Sequence, residues 1–346
     1  MKRGWASLWA SNIANSAKVV RKLTKLAIAP SARRAAKTEP SKSASQRKRA
    51  TVRAGGNGER GVDEWLSGTA AGATGSRRYW LYRPAGIQSG ERVPMIVMLH
   101  GCGQDASMFA ASTRMNQRAA RERFVVLYPE QDRLANARAC WNWFDTKTGR
   151  AYGEAALIMA AVDQVCVLHP VDPGRVAVAG LSAGASMAAL LVTRYPERFK
   201  AVVMHSGIPP GTADSALTAL RAMKGQRSAP AIQATAGTAK SWPPLLVIHG
   251  TVDTVVDVRN GRAAAQRWAE GVGARATTER SVQRGKRYAM TVTDFQHQGT
   301  TVVTLADIGR LGHAWSGGAA NQPFSDAQGP DASRMVWAFA ARQFRR

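Results

Sequence analysis

The sequence predicts an α/β fold in which a mostly parallel sheet is covered by helices on both faces. Short, continuous apolar runs recur along the chain, and stretches with helical periodicity separate several of them. Parallel strands are typically apolar throughout because helices bury both of their faces, and alternating strands and helices favour this architecture. With 346 residues, 45% of them hydrophobic, the chain is long enough to bury the large core that such a fold needs.

The elements of this predicted fold begin near residue 75. Residues 77–84 alternate in polarity like a strand, and five later apolar runs predict buried parallel strands at 93–101, 124–130, 175–182, 201–207 and 245–250. Helices are predicted between these runs at 115–123, 154–169 and 184–196. Near the end, two further strands flank 296–299 as a hairpin, and a last helix is predicted over 332–344.

Polar residues cluster where the predicted strands end. The strand ends carry the sequences HGCGQD, YPEQD, GLSAG, HSG and HGTVD, and GLGHAW follows the hairpin. In open α/β sheets, ligands bind beyond the carboxyl ends of the strands. These loops are therefore the predicted position of the functional site.

Ser182 is the predicted nucleophile. It lies in the pattern GLSAG directly between an apolar strand and a helix-forming segment. A nucleophile elbow needs such a serine on a strained turn, with glycines two positions away so that strand and helix can approach each other. The alternative is a glycine-rich packing turn without chemistry.

Serine needs a base to act as a nucleophile, and the base needs a carboxylate to orient it. In hydrolases with this elbow the chain order is serine, acid, histidine. Asp253 and Asp257 both follow the strand at 245–250, and Asp253 is favoured because it is nearer the strand end. His313, on a glycine-flanked loop, is favoured as the base over His297 in a polar turn.

Backbone and aromatic groups near these loops complete the predicted site. The glycine-rich HGCGQ loop suits an oxyanion hole, with the Cys102 N–H donating beside the Ala183 N–H that follows the nucleophile. Trp141, Trp143 and Trp315 are candidate substrate-binding residues, because rigid aromatic faces suit an apolar ester chain. Ordinary core packing is the alternative for all three. No metal is implied, because the three cysteines form no CxxC motif, and a serine mechanism requires no cofactor.

At this point the motifs together resemble a known family. LHGCGQ, FVVLYPEQ, CWNWF, GLSAGASM, HGTVDTVV and LGHAWSGG occur in this order and are similar to the catalytic domain of the polyhydroxybutyrate (PHB) depolymerase family of esterases. The resemblance covers about residues 77–343. It implies an α/β-hydrolase fold and hydrolysis of 3-hydroxyalkanoate polyesters or oligomers through an acyl-enzyme. It also implies Ser182 as nucleophile, Asp253 as acid, His313 as base and Cys102 in the oxyanion hole.

Two other functions stay open. Feruloyl and acetyl-xylan esterases are similar in fold and motifs, so a carboxylesterase of plant-wall acyl groups is one alternative. The other is a granule- or nucleic-acid-associated binding protein whose hydrolase domain is a relic.

The chain is predicted to have two parts, a basic extension at 1–65 and the catalytic domain at 70–346. Residues 1–60 carry fifteen Lys or Arg against two Glu. Their net charge is about half of the +25 of the whole chain. The spacing of apolar residues predicts a cationic amphipathic helix over about 5–28, followed by a linker too polar to fold. A contact with a granule or another anionic surface is one interpretation and a solvated extension is the other; specific nucleic-acid binding is not expected.

The beginning of the chain shows no recognisable secretion signal, so a cytoplasmic location is predicted, with possible association to granules. Cys102 and Cys140 follow strand ends on one edge of the predicted sheet. A stable disulfide between them is not expected in a reducing compartment.

Overall fold

A computed structural model of the protein describes residues 62–88, 90–228 and 242–346. The predictions for the basic extension therefore lie outside the described residues, except for its last four positions. Within the described part, eleven strands form one sheet. Nine of them have these bounds: β1 Glu64–Gly72, β2 Gly75–Arg83, β3 Val93–Leu99, β4 Val125–Pro129, β5 Val171–Leu181, β6 Ala201–His205, β7 Leu245–Gly250, β10 Met290–His297 and β11 Thr300–Ile308. Two short strands, β8 Arg275–Ala276 and β9 Arg280–Val282, pair with β10 at the edge.

The order of the sheet confirms the predicted fold class. Strands lie in the order β1-β2-β4-β3-β5-β6-β7-β11-β10-β8. The pairs from β4 through β3, β5, β6 and β7 to β11 are all parallel, whereas β1, β2 and the β10–β11 hairpin pair antiparallel. Because the central strands are parallel, their carboxyl ends all meet at one edge.

Helices cover both faces of this sheet, as predicted. Their bounds are α1 Ala106–Thr113, α2 Met115–Glu122, α3 Arg150–Leu168, α4 Ala183–Arg194, α5 Ala216–Met223, α6 Arg259–Gly271 and α7 Ala332–Gln343, and a 3₁₀ turn spans Pro196–Arg198. Buried residues of α3, α4 and α6 form one core cluster with the sheet, and those of α1, α2 and α7 form a second.

Strand β3 shows how the two cores share one sheet. All seven of its residues are buried. Met95, Val97 and Leu99 belong to the first cluster, whereas Ile96 and Met98 belong to the second. Successive side chains of a strand point to opposite faces, so a strand with a core on each side must be apolar throughout.

The first strand was not predicted. Strand β1 pairs with β2 from Glu64 opposite Arg83 to Gly72 opposite Gly75. The predicted start of the catalytic domain at residue 70 therefore falls inside a strand of its sheet. Only Ala70 of this edge strand is fully buried, so its small and polar residues carry no alternating pattern that would have revealed it.

Helix α3 is a core helix. By length and composition it is the one described helix that could cross a membrane. It packs against β1, β2 and β5, and Ala155, Ile158 and Val162 are buried in the first core cluster. A short parallel pair, β12 Trp315–Ser316 with β13 Ser325–Asp326, completes the structure beside the sheet.

Candidate active site

Ser182 lies on a strained turn between the end of β5 and the start of α4. Its backbone has φ 56° and ψ −120°, in the left-handed half of the Ramachandran map that non-glycine residues rarely occupy. A Cβ atom on Gly180 would lie 2.3 Å from the carbonyl carbon of Gly184, and one on Gly184 would lie 2.0 Å from the Leu99 carbonyl oxygen. The two glycines are therefore required by the close approach of strand and helix, as the motif predicts.

Asp253 and His313 are in direct contact. His313 Nδ1 lies 2.7 Å from Asp253 Oδ2. The other carboxylate oxygen of Asp253 accepts backbone hydrogen bonds from Val255 and Val256, each at 2.9 Å. An ionised carboxylate can only accept, so His313 Nδ1 carries the proton and its Nε2 is left free to take one.

The surroundings of Asp253 keep its carboxyl group ionised. Burial acts to raise the pKa of Asp253, but the hydrogen bonds and charges of His249 and His313 outweigh it, so the pKa lies below its usual range. His249 Nε2 is 3.5 Å from Asp253 Oδ2, and it also lies 2.9 Å from the Val256 carbonyl oxygen. The carboxylate is thus fixed on several sides, which fixes the orientation of the His313 ring.

The two alternative residues for these positions lie elsewhere. Asp257 pairs with Arg259, whose Nη2 is 2.9 Å from Asp257 Oδ2. His297 is exposed at the end of β10, where its Nδ1 lies 3.5 Å from the Gly273 carbonyl oxygen. Neither residue contacts the Asp253–His313 pair.

His205 connects the turn of Ser182 to the loop of His313. The Ser182 N–H donates to the His205 carbonyl oxygen at 2.9 Å. The Ser316 N–H donates to His205 Nε2 at 3.1 Å, so that nitrogen is unprotonated and Nδ1, 3.2 Å from Ser206 Oγ, carries the hydrogen. Burial and the nearby His249 and His313 lower the pKa of His205 to about 3, which keeps the ring neutral.

Sequence reasoning assigned no chemistry to His205. Its position at the end of β6 was the available signal, because the other strands of the sheet carry Ser182 and Asp253 at or just beyond their carboxyl ends. The ring is fully buried and stacks on Trp315, with 5.1 Å between ring centroids. Strand-end position alone does not separate a residue that holds the base loop from one that only fills the core.

We expect His205→Phe to lower kcat on a soluble ester by about tenfold or more and to leave KM little changed. Phenylalanine keeps the ring beside Trp315 but removes the acceptor for the Ser316 N–H, and an unsatisfied buried donor costs about 1–3 kcal/mol. The matched variant His205→Gln supplies an acceptor near the same position and should recover part of kcat. Steady-state kinetics and urea unfolding measure both effects, and equal kcat in all three proteins would contradict this positioning role.

The HGCGQ loop lies against the turn of Ser182. A Cβ atom on Gly101 would be 3.6 Å from Ser182 Cβ, so the backbone of this loop borders the nucleophile. His100 links this loop to Gln131. Its Nδ1 donates to the Gly101 carbonyl oxygen at 2.9 Å, and its Nε2 accepts from the Gln131 N–H at 3.1 Å. Ala183 is the first residue of α4, where backbone N–H groups have no partner within the helix.

A disulfide ties this loop to the segment at 140–144. The structure joins Cys102 to Cys140, which corrects the expectation that no stable disulfide forms between them. The residues are 38 positions apart in sequence and are brought together because both follow ends of neighbouring parallel strands. The bond fixes the position of Cys102, whose backbone is the predicted oxyanion donor.

Removing this disulfide is expected to destabilise the domain by about 4 kcal/mol. The bond joins residues 38 positions apart, and opening that loop raises the entropy of the unfolded chain. Urea unfolding of Cys140→Ser against the unaltered protein measures the difference. Cys166→Ser is the matched control, since Cys166 is the free cysteine of the described residues. An equal loss in both variants would show that the effect is not due to the bond.

The three tryptophans do not line an open groove. Trp141 and Trp315 are fully buried, and Trp143 is 8% exposed. The Trp141 indole N–H donates to the His100 carbonyl oxygen at 3.1 Å, and that of Trp315 donates to Ser333 Oγ at 3.1 Å. The expected substrate contacts of Trp141 and Trp315 are therefore wrong for this structure: both rings pack beneath the site and support its loops. Among the described residues, no group of three or more His, Cys, Asp and Glu side chains is arranged to hold a metal ion.

The parallel sheet, the strained serine turn and the Asp–His pair at the carboxyl edge define an α/β-hydrolase. Residues 77–281 match the family model described as esterase PHB depolymerase. The chain belongs to this family of carboxylic ester hydrolases, which confirms the resemblance seen in the motifs.

Two relatives with known names are a depolymerase and a feruloyl esterase. Poly(3-hydroxyalkanoate) depolymerase C of Paucimonas lemoignei is 30% identical over 253 residues, which are 69% of this chain and 58% of that protein. Feruloyl esterase B of Thermothelomyces thermophilus is 30% identical over 200 residues, covering 54% of this chain and 68% of the relative. The chain thus spans less than two thirds of the depolymerase.

Solved structures share the fold. An acetyl xylan esterase from Aspergillus awamori aligns with a TM-score of 0.59 at 19% identity, over 72% of this chain and 94% of the esterase. The S-formylglutathione hydrolase of Staphylococcus aureus aligns with a TM-score of 0.51 at 13% identity, over 84% of this chain and 100% of the hydrolase. At these identities the likeness concerns the fold alone.

Proposed function

We propose that the protein is a serine esterase that hydrolyses 3-hydroxyalkanoate polyesters or their oligomers through an acyl-enzyme. The observation that carries the chemistry is the 2.7 Å contact between His313 and a buried, ionised Asp253, at the sheet edge that also presents Ser182 on its strained turn. The intact set of Ser182, Asp253 and His313 argues against a relic domain without activity. We therefore do not favour a pure binding protein.

In the proposed mechanism, Ser182 Oγ attacks the ester carbonyl while His313 Nε2 takes its proton. Asp253 stabilises the imidazolium that forms. The N–H groups of Cys102 and Ala183 stabilise the oxyanion of the tetrahedral intermediate, and His313 then gives its proton to the leaving alcohol. Water attacks the acyl-enzyme with His313 again acting as base, and this releases the hydroxyacid and restores Ser182.

Exposed apolar residues at the same edge support a polymer substrate. Leu134, Leu217 and Val252 are 95%, 60% and 55% exposed. Leu134 and Val252 lie in the loops that follow the carboxyl ends of β4 and β7, and Leu217 lies on α5, the helix that follows β6, so all three belong to segments that leave the edge where Ser182 lies. Contact with the apolar surface of a polyester particle removes exposed aliphatic side chains from water, and this favours binding of the protein to the particle.

Leu134→Ser combined with Leu217→Ser is expected to lower the rate on amorphous poly(3-hydroxybutyrate) particles by about tenfold and to leave hydrolysis of a soluble p-nitrophenyl ester unchanged. Val167→Ser is the matched control, because Val167 is 83% exposed at the end of α3, beside the amino end of β5 and so at the opposite edge of the sheet. Particle turbidity and released hydroxyacid measure the first rate. An unchanged particle rate in the double variant would contradict adsorption at this edge.

A plant-wall esterase is the second candidate, because a feruloyl esterase is as similar in identity as the depolymerase is. Rates on soluble 3-hydroxybutyrate oligomers, a feruloyl ester and acetylated xylan, measured side by side, separate the two functions. Faster cleavage of the feruloyl or acetyl ester would replace the polyester proposal and leave the serine mechanism in place.

Location and surface contact are further proposals. A contact between the basic segment at 1–60 and an anionic granule surface is tested by deleting that segment and measuring partition onto particles. The disulfide between Cys102 and Cys140 favours an oxidising compartment over the predicted cytoplasmic location.

A further inference from the structure

A cavity lies beside α6, and none of the residues of the proposed mechanism lines it. Its volume is about 250 Å³. It is bounded on one side by α6 and on the other by the segment that follows β6. Arg227, Arg259 and Arg267 line it together with uncharged residues such as Thr212 and Asn260, and none of the described lining residues is a carboxylate.

The three guanidinium groups differ in how their charge is balanced. Arg259 forms two hydrogen bonds with the carboxylate of Asp257, each 2.9 Å long, so its charge is neutralised in place. Arg227 donates through Nε to the uncharged Thr212 carbonyl oxygen at 2.9 Å. Asp214, whose pKa is lowered chiefly by Lys147 and Thr218 and to a lesser extent by the charge of Arg227, is bound to Lys147 at 2.9 Å.

Arg267 carries the clearest sign of a missing partner. Its Nη1 atom is buried and has no hydrogen-bond partner among the described residues. Burial lowers the pKa of Arg267, and the charge of Glu270 offsets this only in part. A buried donor without an acceptor is costly, and most such groups in native proteins are paired with protein, water or a ligand.

An oxyanion would satisfy these groups together. Guanidinium groups bind carboxylate and phosphate through short, charge-assisted hydrogen bonds that match the planar fork of donors. The cavity volume of about 250 Å³ is below the roughly 300–1,000 Å³ of sites that hold drug-sized ligands, so the cavity admits only a smaller molecule.

We propose that this cavity binds the carboxylate or phosphate group of a small ligand between Arg227 and Arg267. A hydroxyacid and a phosphate compound share the anionic oxygens that the arginines recognise. The site is separate from Ser182 and does not depend on the proposed esterase activity.

The test is isothermal titration calorimetry of the full chain at constant ionic strength, with sodium 3-hydroxybutyrate and sodium phosphate as separate probes and sodium chloride as the reference. We expect saturable binding of at least one probe. We expect the combined Arg227→Gln and Arg267→Gln variant to lose about tenfold or more in affinity, because each lost charge-assisted hydrogen bond costs at least that factor. The stronger probe identifies the source of the anion.

Arg334→Gln is the matched control, since Arg334 is an exposed arginine on α7 that does not line the cavity. Circular dichroism and urea unfolding report whether the double variant is folded, and the single variant Arg227→Gln gives a second measurement if it is not. No saturable binding of either probe would overturn the proposal. Equal affinity in the variants and the unaltered protein, or an equal loss in Arg334→Gln, would do the same.

Discussion

Replacing Ser182 by alanine is expected to lower kcat on a soluble p-nitrophenyl ester on the order of 10⁶-fold, the loss seen when a serine hydrolase loses its nucleophile. The proposed mechanism has no other group that can form the acyl-enzyme. Alanine keeps the backbone hydrogen bond from residue 182 to the His205 carbonyl oxygen, because that bond does not involve the side chain. Steady-state kinetics measure the loss.

The matched control for this change is Ser76→Ala, which removes an exposed hydroxyl at the β1–β2 hairpin. It should keep full activity. Both variants should unfold at the same urea concentration as the unaltered protein. Residual hydrolysis within about a hundredfold of normal in Ser182→Ala would refute the assignment of the nucleophile.

The second large effect concerns folding rather than chemistry. Gly184→Ala is expected to destabilise the domain on the order of 4 kcal/mol or to prevent folding, because the added Cβ would lie 2.0 Å from the Leu99 carbonyl oxygen and 2.5 Å from that of His100. These are backbone atoms of the last residue of β3 and of the residue that follows it, and all residues of β3 are buried. Neither β3 nor α4 can move away without opening the core cluster that they share.

Urea unfolding measures this change, with Gly312→Ala as the control for stability. A Cβ at Gly312 meets no atom within 4 Å, so that variant should lose less than about 1 kcal/mol. A Gly184→Ala protein as stable as Gly312→Ala would show that strand and helix are less tightly packed than the structure has them.

Much of the fold was predictable because its central strands are apolar on both faces. The run at 93–101 gave β3, and the runs ending at 182, 207 and 250 gave β5, β6 and β7. The hairpin and the last helix were predicted because their hydrophobic patterns lie within a few neighbouring residues. Strand β1 and helix α6 were missed: the one has almost no buried residue, and the other is interrupted by exposed polar positions.

The site was predictable in part. The glycines around Ser182 mark the turn by themselves, because no other residue fits where strand and helix touch. The preference for Asp253 over Asp257 rested on distance from the strand end and was supported by the contact with His313. Trp315 shows where the reasoning failed: two positions from His313 it was expected in the groove, yet Phe109, His205 and Ser333 enclose its ring.

The sequence by itself determined the parallel sheet, the turn of Ser182 and the chain order of Ser182, Asp253 and His313, because hydrophobic patterns and glycine spacing act over a few neighbouring residues. Only the tertiary structure decided the disulfide between Cys102 and Cys140, the bracing of the base loop by His205, the burial of the tryptophans and the cluster of arginines beside α6. Each of these depends on which side chains meet across 38 or more positions of chain, or between a helix and a distant loop. A local sequence pattern does not predict these contacts, because the packing of the whole core determines which distant residues come together.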